Sequence, residues 1–444
     1  MSASPVAVLD SAAGPLSGVL PVEAPLPVLG RDVQVPLSSG GTVEYAALDY
    51  AASAPALQRV WDDIAAYAPY YGSVHRGAGY LSQLSTELYE KARRTVAEFL
   101  GTREDDHVVF TRATTDSLNL LASCLPPGTE VYVFETEHHA ALLPWERHAS
   151  AVHYLAAPRS PEQAVAALDE ALAAHPPYGR ERLVCVTGAS NVTGELWPVK
   201  ELTETAHRHG ARLVLDAAQL VPHCPVRLDE LDVDWVAFSG HKLYAPFGAG
   251  VLAGRSDWLT RARPYLAGGG ATRSVVRAPG EEVRVEWNED LSRHEAGSPN
   301  VIGAYAIASA CSALAEAGLD RLHARETVLV DRLRVGLAEI PGLRVLSLFG
   351  DEHPRVAVLS FVVDGHGSAE LARALSSEYG IGVRDGLFCA HPLVRTLVGA
   401  GASVDAECGV EDRPLNAVRV SFGAGTPDEH VERLVRAVRE LVVG

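Results

Sequence analysis

Short apolar runs recur through the chain, each ending in small or polar residues: Val108-Val109-Phe110, Val131 to Phe134, Leu183 to Val186, Leu213 to Leu215 and Trp235 to Phe238. Runs this short, bounded by turn-forming residues, read as strands buried on both faces. Between them the apolar spacing becomes helical. Val199, Leu202 and Ala206 share one face, and Gly210 stops that helix. An amphipathic helix is expected from about Pro55, another over Leu118 to Leu121, and a long Ala-rich one from about Asn300. Strand, helix, strand in repetition predicts an α/β fold with a mostly parallel sheet.

Two stretches lack such a pattern. Residues 1 to about 40 show neither period, and repeated proline predicts an extended arm. Residues 265 to 293 are polar and Gly-rich, with Gly268-Gly269-Gly270, and read as an ordered loop. The expected division is an arm over 1–44, a large domain over 45–310 and a smaller α/β domain over 311–444.

Composition narrows the partners. Of 444 residues, 47% are hydrophobic and 21% charged, as in a soluble globular protein. A net charge of −18 argues against nucleic acid or an anionic membrane, so a phosphate ligand would need local donors. No apolar run approaches the roughly 20 residues of a membrane helix. The first thirty residues lack the charged start of a signal peptide. Cysteines at 124, 185, 224, 311, 389 and 408 have no paired spacing and read as reduced thiols of a cytoplasmic protein. No metal site is expected.

Candidate chemistry gathers at the strand ends. Asp216 closes one apolar run, and Lys242 follows the next, 242 − 216 = 26 residues later. In an α/β sheet both tips lie on the carboxyl edge, where ligands bind. A lone lysine after a strand is usually a surface charge, and an aspartate there is often a cap. Here Gly240 and Pro246 bracket Lys242 and keep it out of a regular helix, and Ser239 and His241 flank it with polar groups. Thr114 and Thr115 begin a helix directly after a strand, where free N–H groups and hydroxyls make an anion site. An acid, an amine and a phosphate cradle together suit pyridoxal 5'-phosphate, whose aldehyde reacts with a lysine and whose ring nitrogen pairs with a carboxylate.

The segment from Asp216 to Pro246 resembles the lysine loop of class V (fold-type I) aminotransferases, closest to the SufS-type cysteine desulfurases and selenocysteine lyases. The resemblance covers roughly residues 45 to 444. It implies a large domain with a mostly parallel seven-stranded sheet and a smaller α/β C-terminal domain. It also implies residue roles. Thr111-Arg112-Ala113-Thr114-Thr115-Asp116 is similar to the family's R-G-T-T-E string, so Thr114 and Thr115 would hold the phosphate, with Ala113 in place of Gly. Glu137-His138-His139-Ala140 is similar to E-H-H-A, giving His138 the ring-stacking role. Asn191 would meet the ring oxygen and the substrate carboxylate, and Gln219, Ser239 and His241 would join the cofactor contacts. Gly248 to Leu252 resembles the return strand of the lysine loop, and His75 takes the place of an active-site histidine between the first two helices. Glu295 to Asn300 is similar to E-A-G-T-P-N, whose hydroxyl reaches the partner subunit's phosphate, so Ser298 implies a homodimer with shared sites.

Arg384 to Pro392 resembles the R-x-G-x-x-C-A-x-P loop, in which the cysteine accepts sulfur, and Arg419 matches the arginine that clamps the substrate carboxylate. Cys389 between Arg384 and His391 has the electropositive setting of a reactive thiol. The implied activity is cysteine desulfuration, from L-cysteine to alanine plus a persulfide on Cys389, with a possible sulfur-acceptor protein as partner. Three departures stand out: Leu387-Phe388 replaces a polar pair, 419 − 389 = 30 residues separate Cys389 from Arg419, and the N-terminal arm is extra. The apolar pair favours an alternative, a carbon–sulfur β-lyase, aminotransferase or epimerase in which Cys389 is incidental. A non-catalytic binder of the cofactor is a further alternative, disfavoured by a full set of acid, base and clamp.

Overall fold

A computed structural model of the protein describes residues 24–75, 77–399 and 416–444. Three short strands come first: β1 (Gln34–Pro36), β2 (Thr42–Glu44) and β3 (Ala46–Ala47). The five apolar runs supply β4 (Asp106–Thr111), β5 (Glu130–Phe134), β7 (Arg182–Thr187), β8 (Arg212–Asp216) and β9 (Trp235–Ser239). The expected return strand is β10 (Gly250–Arg255), and the partly exposed edge strand β6 (Ala151–Leu155) was not read from the sequence. These seven form one sheet in the order β4-β10-β9-β8-β7-β5-β6. Neighbours from β9 to β6 are parallel, and β10 runs antiparallel between β9 and β4.

Both faces of this sheet are covered, which is why its strands show no polar alternation. Alternate residues serve opposite layers. Val186, Leu215 and Val236 enter one core, while Cys185, Val214 and Ala237 enter the other. Each such side chain contributes roughly 1.5–3 kcal/mol by leaving water. Helices Gln58–Tyr67, Tyr80–Phe99 and Val301–Ala317 pack together on the first face. The last of these is apolar nearly all round because it is buried nearly all round. Asn300 caps it by accepting from the Gly303 N–H at 2.9 Å. The residue 310 boundary falls inside this helix. The chain turns instead at Gly318 (φ 82°), and helix Leu319–Ala338 departs at 79°.

The stretch expected as a loop over 265–293 carries a hairpin, β11 (Thr272–Val276) with β12 (Arg284–Trp287). Its valines are flanked by Arg and Glu on strands exposed to solvent, which hides the period in the sequence. Beyond it lie β13 (Leu343–Val345), β14 (Val358–Val363), β15 (Ile381–Gly382), β16 (Arg384–Gly386) and β17 (Ala417–Ser421). Strands β13-β14-β17-β16 form an antiparallel sheet backed by helices Leu319–Ala338, Ser368–Tyr379 and Asp428–Val443. Leu333, Phe361, Val420 and Leu434 fill its core.

The extended arm expected for residues 1–44 is a folded, docked segment over its described part. β1 and β2 pair antiparallel, Leu26 is buried with its N–H donating to Ala424 O, and β3 adds parallel to β15. Ala46 and Leu48 are buried in the C-terminal core. Prolines that block helix formation are compatible with this edge pairing. Among the described residues no single helix is long and apolar enough to cross a membrane. The described cysteines are all unpaired, and Cys408 lies outside the described residues, with much of the insert before Arg419.

Candidate active site

The carboxyl ends of β4, β5, β7, β8 and β9 open on a cleft of about 220 Å³. Thr114, Thr115, His138, Asn191, Asp216, Gln219, Ser239, His241, Lys242, Arg384, Cys389 and Arg419 all line it. A larger hollow of about 830 Å³ holds His75 with Glu90, Arg93 and Glu295. His75 there contacts Glu90 Oε1 through Nε2 at 2.9 Å. We place the chemistry in the smaller cleft, because the lysine, the acid and the clamp arginine converge there. Ser298 is exposed, between Gly297 and Pro299 at the rim of the larger hollow, so within one chain neither His75 nor Ser298 joins the cleft.

Lys242 sits on a tight loop after β9. The Leu243 and Ala245 N–H groups both donate to Gly240 O, and a Cβ on Gly240 would meet Ile307 at 2.8 Å. Burial lowers the Lys242 amine to about 8; Asp216 opposes that shift and Arg419 adds to it. An amine so placed is available as a base near neutral pH. Asp216 ends β8 and accepts from the Ala218 N–H at 3.0 Å. Burial raises its pKa, while that N–H and Lys242 pull it down. A cation beside Asp216 would restore its charge. Behind it lies Glu137, fully buried, accepting from the Thr187 N–H at 3.0 Å with its second oxygen unpartnered. Burial first, then Asp216, hold Glu137 well above the usual carboxylate range, so it is kept as the neutral acid.

His138 begins a short turn after β5. Its Nδ1 accepts from the Ala140 N–H at 3.1 Å, which leaves the ring proton on Nε2. Burial, then Lys242, lower it to about 3, so it offers a neutral aromatic face. At the opposite wall, helix Thr114–Ser123 starts after Ala113, which supplies no side-chain cap. Ser239 Oγ accepts from the Thr114 N–H at 2.7 Å and meets the Thr114 hydroxyl at 2.7 Å. Gly250 makes this possible, since a Cβ there would lie 2.7 Å from the Ala113 backbone. Gln219 donates to Ala51 O at 2.9 Å and so ties the N-terminal turn to this wall.

The C-terminal sheet closes the cleft. Arg419 on β17 is 3% exposed; it donates to Asn191 O at 3.1 Å and pairs with Asp49 at 2.9 Å, while its Nε has no partner. Arg384 stands 3.7 Å from the same Asp49 carboxylate. Phe388 lays its ring against the Arg419 guanidinium at 5.0 Å. Cys389 is exposed, and its carbonyl accepts from the His139 N–H at 2.8 Å. Phe388 and Cys389 both adopt left-handed backbone, φ 51° and 53°. Such backbone costs a non-glycine residue roughly 1–2 kcal/mol.

Pyridoxal phosphate fits this donor set. The uncapped helix start with Thr114, Thr115, Ser239 and His241 would take the phosphate, Asp216 the ring nitrogen, His138 the ring face and Lys242 the aldehyde carbon. The unpartnered Nε of Arg419 awaits a carboxylate oxygen. Asp49, Phe388 and Glu137 were not singled out as functional from the sequence. Asp49 could have been, because it closes Ala46-Ala47-Leu48 as Asp216 closes its own apolar run.

Known proteins agree with this arrangement. Residues 46–434 match the aminotransferase class-V family. A cysteine desulfurase of Klebsiella pneumoniae is 34% identical over 431 residues, 95% of this chain and 97% of that protein. One of Dickeya dadantii is 36% identical over 387 residues, covering 84% and 88%. The chain spans only about half to three-fifths of some longer relatives, for example 52% of the probable cysteine desulfurase of Mycolicibacterium paratuberculosis, to which it is 34% identical over 85% of its own length. Among solved structures, the apo cysteine desulfurase of Thermococcus onnurineus NA1 superposes with a TM-score of 0.77 at 31% identity, covering 90% of this chain and 95% of that one. The S-sulfonic acid form of an Escherichia coli cysteine desulfurase gives 0.74 at 32% identity, covering 90% and 95%. On a family match over residues 46–434 and relatives at about 34% identity, the chain belongs to the class-V aminotransferase family, whose cofactor is pyridoxal 5'-phosphate.

Proposed function

We propose that the protein is a cysteine desulfurase, converting L-cysteine to L-alanine and carrying the released sulfur as a persulfide on Cys389. The observation that carries this reading is an exposed cysteine lining the same cleft as Lys242, Asp216 and Arg419. Relatives named for that activity over most of this chain support it.

When bound, pyridoxal phosphate supplies an aldehyde for the substrate amine and a ring that takes up electrons from the α-carbon. Arg419, held by Asp49 and Asn191 O, binds the substrate carboxylate through its remaining donors. Lys242 takes the α-proton, for which an amine lowered to about 8 is suited. Asp216 holds a proton at the ring nitrogen, and neutral Glu137 leaves Asp216 as the charge carrier. The Cys389 sulfur then bonds to the substrate sulfur as the C–S bond breaks. The electron pair of that bond stays with the three-carbon fragment, which gains a proton at its β-carbon, regains one at the α-carbon from Lys242 and leaves as alanine. An external thiol, on a small molecule or an acceptor protein, later removes the outer sulfur from Cys389.

We further assign Ser298 to the phosphate of a partner subunit, in a homodimer with shared sites. The exposure of Ser298 at the rim of a second hollow supports this reading. Unpaired thiols support a cytoplasmic location. The β-lyase alternative rests on Leu387-Phe388, and one comparison separates the two. Cys389→Ala should retain the cofactor's absorbance but lose alanine formation from L-cysteine by about a hundredfold or more. Pyruvate and ammonia produced undiminished by Cys389→Ala would move the assignment to the lyase.

A further inference from the structure

Phe388 stands directly before Cys389, and three contacts define its place. The Phe388 ring covers the Arg419 guanidinium at 5.0 Å. Its carbonyl accepts from Asn191 Nδ2 at 2.8 Å. Its side chain is 8% exposed, packed among Val192, Ala390, Leu393 and Val394. Asn191 and Arg419 are both cleft residues, and Asn191 O in turn accepts from Arg419. Phe388, Asn191 and Arg419 therefore form a closed triangle around the place where a carboxylate would bind.

Cys389 hangs from one corner of that triangle. Its own carbonyl accepts from the His139 N–H at 2.8 Å, and His139 sits next to His138 in the cleft wall. Both residues of the Phe388–Cys389 pair keep φ near +50°, a conformation that an unrestrained loop would leave. Four contacts hold it: the Ala390 N–H donating to Leu387 O at 2.9 Å across the turn, the His139 N–H on Cys389 O, the Phe388 carbonyl on Asn191 and the Phe388 ring on Arg419. A histidine at position 388 could make the carbonyl contact, but a protonated ring would repel the guanidinium. A neutral aromatic face attracts it.

We infer that Phe388 is a positioning residue, which fixes the Cys389 thiol relative to the substrate carboxylate by clasping Arg419 and Asn191. This rests on the desulfurase reading, in which Cys389 accepts sulfur. Apolar substitution before the cysteine is then part of the sulfur-transfer apparatus, where the sequence alone made it an argument against that activity. Lys242 and Asp216 stand on the large sheet across the cleft, so a loosened clasp should weaken substrate binding but, at saturating L-cysteine, leave proton removal by Lys242 in place.

The test uses the loaded enzyme with L-cysteine and separates the two steps. Exchange of the substrate α-hydrogen with deuterium from solvent reports on Lys242, while alanine release reports on Cys389. At saturating L-cysteine, Phe388→Ala and Phe388→Leu should keep the maximal rate of α-hydrogen exchange within about threefold of wild type, yet lower alanine release about tenfold or more, the loss expected for a misplaced reacting group. Phe388→Tyr keeps the flat face and should release alanine within about twofold of wild type. Alkylation of Cys389 by iodoacetamide should change in rate in the Ala and Leu variants, and a thermal melt checks that each is folded. Alanine release near the wild-type rate in Phe388→Ala or Phe388→Leu overturns the inference, and so does a parallel loss of exchange and release. Failure of the underlying reading looks different: wild type would give pyruvate, or Cys389→Ala would stay active.

Discussion

At the scale of single residues, the cleft is governed by how burial sorts its charges. Lys242 is pushed down to about 8 and His138 to about 3, while Asp216 and Glu137 are pushed up. Every shift favours the neutral form, which is what removal from water does. The consequence for reactivity has a definite sign. Below about 8 the Lys242 nitrogen carries a proton and has no lone pair to offer an aldehyde; above it the free amine predominates. Cofactor-free protein mixed with excess pyridoxal phosphate should therefore acquire a borohydride-fixable adduct at a rate that rises with pH and levels off above about 8. A rate still climbing steeply toward the ordinary lysine value of 10.5 would show that burial does not act on this amine. Lys242 and Asp216 were legible in the sequence because each follows an apolar run. The Arg419–Asp49 pair was not, since its members lie 370 residues apart and only the folded chain brings them together.

At the scale of elements, β10 is the piece that assembles the phosphate cradle. By running antiparallel between β9 and β4 it pairs Gly250 with Ser239 on one side and Thr111 on the other. The two halves of the cradle, Ser239 and Thr114, are thereby brought within hydrogen-bond distance. A methyl group on Gly250 would have to displace the Ala113 backbone. Gly250→Ala should then weaken pyridoxal phosphate binding about tenfold or more, with a stability loss of about 1–3 kcal/mol from overpacking. A dissociation constant unchanged in a spectroscopic titration would mean that the cradle tolerates the shift. The five apolar strands β4, β5, β7, β8 and β9 were readable because burial made them apolar throughout, and the partly exposed edge strand β6 was missed. The hairpin β11–β12 was not readable either, because solvent exposure let arginine and glutamate share its faces with valine. Nor was β3, since two alanines carry no period to read.

At the scale of the molecule, the proposed dimer makes a prediction that a monomer could not satisfy. If Ser298 serves the neighbour's cofactor, its loss from one chain and the loss of Lys242 from the other fall on the same site of the dimer. A mixed dimer of Ser298→Ala and Lys242→Ala subunits would then keep one intact site, made of Lys242 from one chain and Ser298 from the other. That site should bind pyridoxal phosphate as tightly as wild type does, while the Ser298→Ala homodimer binds more weakly by about tenfold or more, the worth of one hydrogen bond to a charged group. Equal weakening in the mixed dimer would place Ser298 with its own chain's cofactor, and a monomer in sedimentation would remove the shared-site reading.

The pairing of β3 with β15 also fixes when the enzyme can first work. Ala46 waits for Ile381, 381 − 46 = 335 residues later, and Asp49 waits longer still for Arg419. At roughly 5–20 residues per second of synthesis, that is on the order of tens of seconds during which the leading segment has no partner. The central sheet can close in the interval, since its strands all lie between residues 106 and 255. A ribosome-bound chain halted just short of β17 would thus carry the lysine, the acid and the phosphate cradle but no carboxylate clamp. It could take up its cofactor before release, and would gain its grip on substrate only as the final strand slid into place.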